Sequence, residues 1–298
     1  MIIDIHAHCS PAPGWLSHDP AKDAYIPWIT AAELVSRMRR EKIDMAVVLP
    51  VGSPESSIEP VTTREVMTIC KQHKRKLVPF CNPDPRLCMG SERHMSFILN
   101  EYKGQGCRGV GEITANIPFD DPRVLNMFGA CEGLELPVLF HIGPHQGGCY
   151  GLVDDLHLPK LERCLKSFPD LIFIGHSQPF WAEISGDLRP EDRNGYPSGR
   201  VTPGGRLIEL FRQYPNLHAD LSAGSGYNAV SRDPDFGISF MDEFRDRLMF
   251  GTDLDFPGQD LPLLGYMREL GRSGKLSRNT LDTIMYRNAA KLLRLSSV

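Results

Sequence analysis

No stretch of the 298 residues approaches the ~20 consecutive apolar positions that would span a bilayer. Nor do 33 Lys and Arg against 37 Asp and Glu leave a basic surplus. With charges of both signs intermixed, the chain lacks the cationic stripe that nucleic-acid binding and membrane attachment need, and small-molecule partners are expected. The glycine-rich phosphate loops G-x-G-x-x-G and G-x-x-x-x-G-K-[ST] are missing from every strand-to-helix turn, and the first such turn reads HAHCSPAPG. Nucleotide-cradling folds lose ground accordingly. The eight cysteines include no C-x-x-C and fall at irregular spacings inside expected strands and helices, so they read as reduced, mostly buried thiols. The opening MIIDIHAH goes straight into a strand, with neither a charged leader nor an apolar signal core, and a cytoplasmic protein is the expectation.

What is present is a regular alternation of short β-branched runs with longer amphipathic stretches, the pattern of parallel strands joined by crossover helices. Strands are expected at residues 2–6, 44–50, 76–82, 107–113, 137–143, 171–176, 216–222 and 247–253. Between them, 3.6-residue periodicity predicts helices over 30–41, 61–73, 91–102, 122–132, 159–167, 205–214, 238–244 and 263–271. The first opens on Thr30 with Glu33 three residues later, a capping box. Eight such units in one domain over residues 1–298 predict an α/β fold, a (β/α)8 TIM barrel. An added amphipathic helix over 277–295 is expected to pack across its outside. The long connections follow strands one, five, six and seven, at 9–29, 144–158, 177–203 and 223–236. Function should lie at that face, with 177–203 as a lid.

The chemistry-bearing residues fall at the ends of these strands. His6 and His8 are two apart, so a strand puts both on one face, where they can chelate a cation. Taken singly, a strand-end histidine is a hydrogen-bonded core residue. But His141 ends VLFHIG's apolar run, His176 ends LIFIGH, and Asp253 ends LMFGTD beside strand one across the barrel closure. In a barrel all these ends converge on one mouth. Imidazoles with a carboxylate suit Zn²⁺, with Mn²⁺, Fe²⁺ or Co²⁺ as alternatives. Glu112 in RGVGEI, also at a strand end, could bridge two metals, so the count stays open between one and two.

The pattern resembles the amidohydrolase superfamily, specifically the amidohydrolase-related branch that includes aminocarboxymuconate semialdehyde decarboxylase. The motifs are IDIHAH, VLFHIG, FIGHS, RLMFGTD and the closing YRNAAKLL, in barrel order over the whole chain. For decarboxylases of that branch the resemblance implies one zinc on His6, His8, His141 and Asp253, with His176 as acid or base. The GVGEI context matches instead the TatD-like members, where Glu112 would bridge two metals and His141 and His176 would hold the second.

Two activities follow. In a hydrolase, Asp253 takes the proton of a metal-activated water that attacks a small organic acid, lactone, ester or amide. In a carboxy-lyase, His176 or Asp253 delivers a proton to carbon as carbon dioxide leaves. A non-catalytic barrel is disfavoured because Asp253 is retained, and a nuclease because no basic groove is present. Candidate substrate contacts in the long loops are His145, His157, Trp181 and Arg232. Trp28, Tyr150, Phe180 and Tyr227 are further candidates for a wall, and Arg189, Arg193 and Arg200 for a carboxylate grip. A homodimer is the prior for assembly.

Overall fold

The computed structural model describes residues 1–19, 24–56, 59–87 and 91–295. Eight parallel strands carry the fold: β1 (Ile3–Ala7), β2 (Met45–Val48), β3 (Leu77–Pro79), β4 (Val110–Ile113), β5 (Val138–Gly143), β6 (Phe173–His176), β7 (Leu217–Asp220) and β8 (Leu248–Met249). Each falls inside its expected range or, for β1, one residue beyond it. β1, β2 and β3 form one run, and β4 to β8 a second in sequence order. Backbone hydrogen bonds join the runs into a ring. Cys81 N–H donates to the Gly109 carbonyl at 3.0 Å and Gly111 N–H to the Cys81 carbonyl at 2.8 Å, linking β3 to β4. Ile5 N–H donates to the Phe250 carbonyl at 3.0 Å, linking β1 to β8. The fold is a (β/α)8 barrel.

Eight helices surround it: α1 (Ala31–Glu41), α2 (Thr63–Gln72), α3 (Glu92–Gly104), α4 (Pro122–Gly133), α5 (Pro159–Ser167), α6 (Arg206–Gln213), α7 (Pro234–Glu243) and α8 (Pro262–Ser273). The Thr30–Glu33 capping box forms, and an equivalent Thr62–Glu65 box starts α2. Alternation along each strand then divides the core in two. Outward residues such as Val138, Phe140, Phe173, Leu217 and Phe250 pack on the helices. Inward residues Ile3, Ile5, Val47, Leu49, Val78, Phe80, Leu139, Ile174 and Met249 fill the lumen.

Four features differ from the sequence expectation. The C-terminal helix lies only partly across the outside, where its Ile284 and Met285 join the outer cluster. Its Ala289 and Leu293 join the lumen cluster, and Asn288 Nδ2 donates to the Arg245 and Leu248 carbonyls at 2.6 and 2.7 Å, so the segment closes the barrel floor. An apolar stripe specifies that a face is buried, not which surface receives it. The connection expected over 223–236 is mostly helical: Ala223–Ser231, then α7 capped by Asp233. The 177–203 segment is no detached lid. It opens with the helix Gln178–Ala182, and Phe180, Trp181, Glu183 and Arg193 are buried. The 9–29 connection contains a hairpin, Leu16–Asp19 with Ala24–Pro27.

The described cysteines are all free and, apart from the partly exposed Cys149, buried; Cys88 lies outside the described residues. Among the described residues no helix is long and apolar enough to cross a membrane.

Candidate metal centre

At the C-terminal ends of the strands the lumen changes from aliphatic to polar. On β1 the register is irregular between Asp4 and Ala7. Asp4 stabilises that irregularity by accepting the His6 N–H at 3.0 Å and, from the far side of the closure, the Thr252 N–H at 2.9 Å and hydroxyl at 2.6 Å. His6 Nδ1–H donates to Asp220 Oδ2 at 2.9 Å, and His8 Nδ1–H to the Leu49 carbonyl at 3.0 Å. With both Nδ1 atoms donating, both Nε2 lone pairs point at the same space, and they lie 3.1 Å apart. Two lone pairs at that distance repel unless a positive charge lies between them. Two bonds of 2.0–2.1 Å to one tetrahedral ion would set the nitrogens about 3.3 Å apart.

Glu112 stands at the middle of the cluster. Its placement requires glycine at 111, because a side chain there would come within 2.6 Å of the Leu139 carbonyl. Glu112 Oε1 accepts from His141 Nδ1 at 2.8 Å, while Oε2 lies 3.5 Å from the Nε2 atoms of both His6 and His8. Asp253 Oδ1 lies 3.3 and 3.4 Å from the same two nitrogens, and Oδ2 lies 3.7 Å from His176 Nε2. Donor atoms within 4.8 Å of one another form three groups: His6, His8 and Glu112; Glu112, His141 and His176; and His6, His176 and Asp253. His141 falls in no group with His6 and His8, while Glu112, His6 and His176 each belong to two.

The charges make the same demand. Glu112, Asp220 and Asp253 meet four histidines here, and among the described residues no Lys or Arg pairs with these carboxylates. Burial pushes His8 down, but Asp253 and Glu112 outweigh it and raise its pKa to about 9; for His6, Asp253 and Asp220 likewise overcome burial. Burial would raise Glu112 and Asp253, yet the histidines hold both below the ordinary carboxylate range. Asp220 is held low against burial by His176 and His6. The cluster thus draws positive charge from extra protons, which one or two divalent cations would replace. The donor set of imidazoles and carboxylates fits such ions.

His6, His8, Glu112, His141, His176 and Asp253 lie together at the C-terminal ends of the strands. The proposed substrate contacts do not. Trp181 is 2 % exposed, donates its indole N–H to the Asp220 carbonyl at 3.2 Å, and packs on Phe180 and Phe240, so it supports β7 from behind. An aromatic residue after a strand signals a wall or a core equally, and here packing takes it. Arg232 ends the helix Ala223–Ser231, and the charges around it are Asp187 and Asp233. Arg189 pairs with Asp192, and Arg193 is buried on the Asp154 carbonyl. His145 is exposed on the loop after β5, beside Cys149. His157 pairs with Glu183. Of the aromatics, Tyr150 lies with its ring centroid 4.5 Å from that of His141, and Trp28 sits edge-on to His8 at 5.9 Å.

Sequence reasoning missed Asp220 and Ser222. Asp220 is fully buried, and its Oδ1 accepts from His176 Nδ1 at 3.2 Å. The Ser222 hydroxyl lies 3.0 Å from His176 Nδ1 and 3.3 Å from His6 Nδ1. The signal was there: LHAD ends β7 one step past the Ala219–Gly175 pair, which sets Asp220 beside His176.

Solved structures share this architecture. A TIM-barrel protein from Bordetella bronchiseptica is 17% identical over 98% of both chains, with a TM-score of 0.65. A protein described as a 2-pyrone-4,6-dicarboxylic acid hydrolase, from Acinetobacter baumannii, is 14% identical over 99% of both chains at 0.59. A 5-carboxyvanillate decarboxylase from Sphingomonas paucimobilis is 14% identical over 89% of this chain and 83% of its own, at 0.54. These likenesses establish the fold. No curated protein matches the chain. The amidohydrolase family model matches residues 3–295, and the chain belongs to that family.

Proposed function

We propose that the protein is a metal-dependent hydrolase whose two-cation centre opens a small lactone, ester or amide. The two-sided placement of Glu112 carries this reading: Oε2 lies 3.5 Å from His6 and His8, and Oε1 lies 2.8 Å from His141 and 3.9 Å from His176. His6, His8, Glu112 and Asp253 would hold one cation, and Glu112, His141 and His176 the other. Zinc is the first candidate, given the donor chemistry, and a family relative from Burkholderia multivorans is described with zinc bound. When bound, such a centre polarises a carbonyl oxygen and lowers the pKa of water towards ~7.

The chain's own groups then divide the work. The Asp253 side chain is 28% exposed against 7% for Glu112, so among the carboxylates of the centre it faces the mouth. It accepts the proton of the attacking water and returns it to the leaving group. Tyr150, beside His141, borders the space above. The partner is a small molecule.

A second reading, decarboxylation, has one observation in its favour. Asp220 anchors His176 at Nδ1, an arrangement that also suits His176 Nε2 as a proton-transfer group. Metal-edge anomalous scattering, combined with a panel of lactones, esters, amides and aromatic acids, separates the two. Two peaks ~3.5 Å apart flanking Glu112, with turnover of a neutral substrate, are the expected result. A single peak with release of carbon dioxide would overturn the hydrolase reading.

A further inference from the structure

We propose that Asp220 is a positioning residue that fixes the tautomers of His6 and His176 together, joining the two halves of the centre through one carboxylate. This rests on the metal reading above and adds a residue that touches neither substrate nor ion. Asp220 Oδ2 has one partner, His6 Nδ1 at 2.9 Å. Oδ1 has three: His176 Nδ1 at 3.2 Å, the Ser222 backbone N–H at 2.9 Å, and the Ser222 hydroxyl. The hydroxyl has one hydrogen. With that hydrogen on Asp220, its lone pairs face both rings, so each Nδ1 must carry a hydrogen and each Nε2 a free lone pair. Both rings are thereby set as ligands from a single buried point, a brace of the kind that outer partners give to metal-bound histidines.

The asymmetry of the two oxygens makes the idea specific. An amide at this position has one accepting oxygen and one donating nitrogen. Ser222 N–H is part of the backbone and cannot reverse, so the amide oxygen of D220N must take the Oδ1 position. The amide NH₂ then faces His6 Nδ1, which can meet it only as an acceptor. His6 moves its hydrogen to Nε2 and aims it at the space it shared with His8. His176 keeps its tautomer. D220N should therefore weaken the His6 and His8 half of the centre and spare the Glu112, His141 and His176 half.

The test is ¹⁵N-edited NMR of the histidine rings in zinc-loaded protein, with zinc competition against a chromogenic chelator. In the wild type, Nδ1–H signals from both His6 and His176 are expected, and the absence of either overturns the proposal whether or not any variant folds. In D220N the His6 signal should vanish and the His176 signal remain, with one zinc equivalent bound about 10- to 100-fold more weakly. Unchanged rings with unchanged zinc affinity, or loss at His176 in place of His6, would also overturn it. A wild type that holds both Nδ1–H signals but takes up no zinc would support the brace and sink the metal reading, so the two fail separately.

Discussion

His218 sits on β7 two residues before Asp220, at the floor end of the barrel, and replacing it with Gln gives a measurable change in acid stability. Its Nδ1 is buried with no hydrogen-bond partner. Burial, then the charges of Arg247 and Lys291, push its pKa down from 6.5 to about 3. The unfolded chain takes a proton near pH 6.5, whereas the folded protein refuses it until about pH 3. Between those values the unfolded state binds more protons, so stability falls as the pH falls through this window, by about 1.4 kcal/mol per pH unit. At pH 7 the group has no effect of this kind. At pH 4.5 the loss amounts to about 3 kcal/mol, and the full window to an upper limit of about 5 kcal/mol. H218Q removes this titration and leaves every other group in place. Urea unfolding of both proteins at pH 7 and pH 4.5 reads the difference directly. The gap between variant and wild type should shift in the variant's favour by about 3 kcal/mol on acidification. A gap that is the same at both pH values would refute the argument.

The remaining expectations concern the centre and its surroundings. D253N should lower kcat/KM by about 10² to 10⁴-fold, the range for a lost general base, while the thermal midpoint holds, because Asn tolerates the left-handed backbone of this position (φ 56°). Near wild-type turnover would remove Asp253 from the mechanism. E112Q retains one accepting oxygen in place of two and should leave the protein with about one equivalent of zinc by elemental analysis; two tightly held equivalents would contradict the bridging role. W181F loses the hydrogen bond to the Asp220 carbonyl and should cost about 1 kcal/mol of stability with KM unchanged. A raised KM at full stability would return Trp181 to the pocket.

How much of this was legible in the sequence depended on what each residue's position could specify. His141 and His176 were visible because a polar residue ending an apolar strand stands out, and because barrel topology brings all strand ends to one mouth. Their register confirms it: the two sit opposite each other across β5 and β6. Glu112 was visible as a candidate but not as a shared group, because sharing depends on distances between three strands. Asp220 was hidden by its context. In LHADLS an acid two residues before a serine, at the end of a strand, reads as the start of a turn, and only its proximity to His6, 214 residues away, gives it a role. Trp181 was misplaced for the converse reason, since hydrophobicity alone does not separate a pocket wall from a buried prop. The C-terminal helix had the right stripe, but the stripe fits the barrel's flank and its floor equally.

That floor has a kinetic consequence. The first strand of the chain pairs with the last strand, and the lumen beneath both is sealed by Ala289 and Leu293, near the end of the chain. During synthesis, which runs from the N-terminus, β1 emerges without β8, its neighbour on the closing side. It must wait for nearly the whole chain to follow, and contacts of such long sequence separation are the slow ones to form. His6 waits with it, since Asp220 and Asp253 arrive among the later residues. The centre is thus assembled at the end of folding, and a half-made chain offers no finished site to capture an ion.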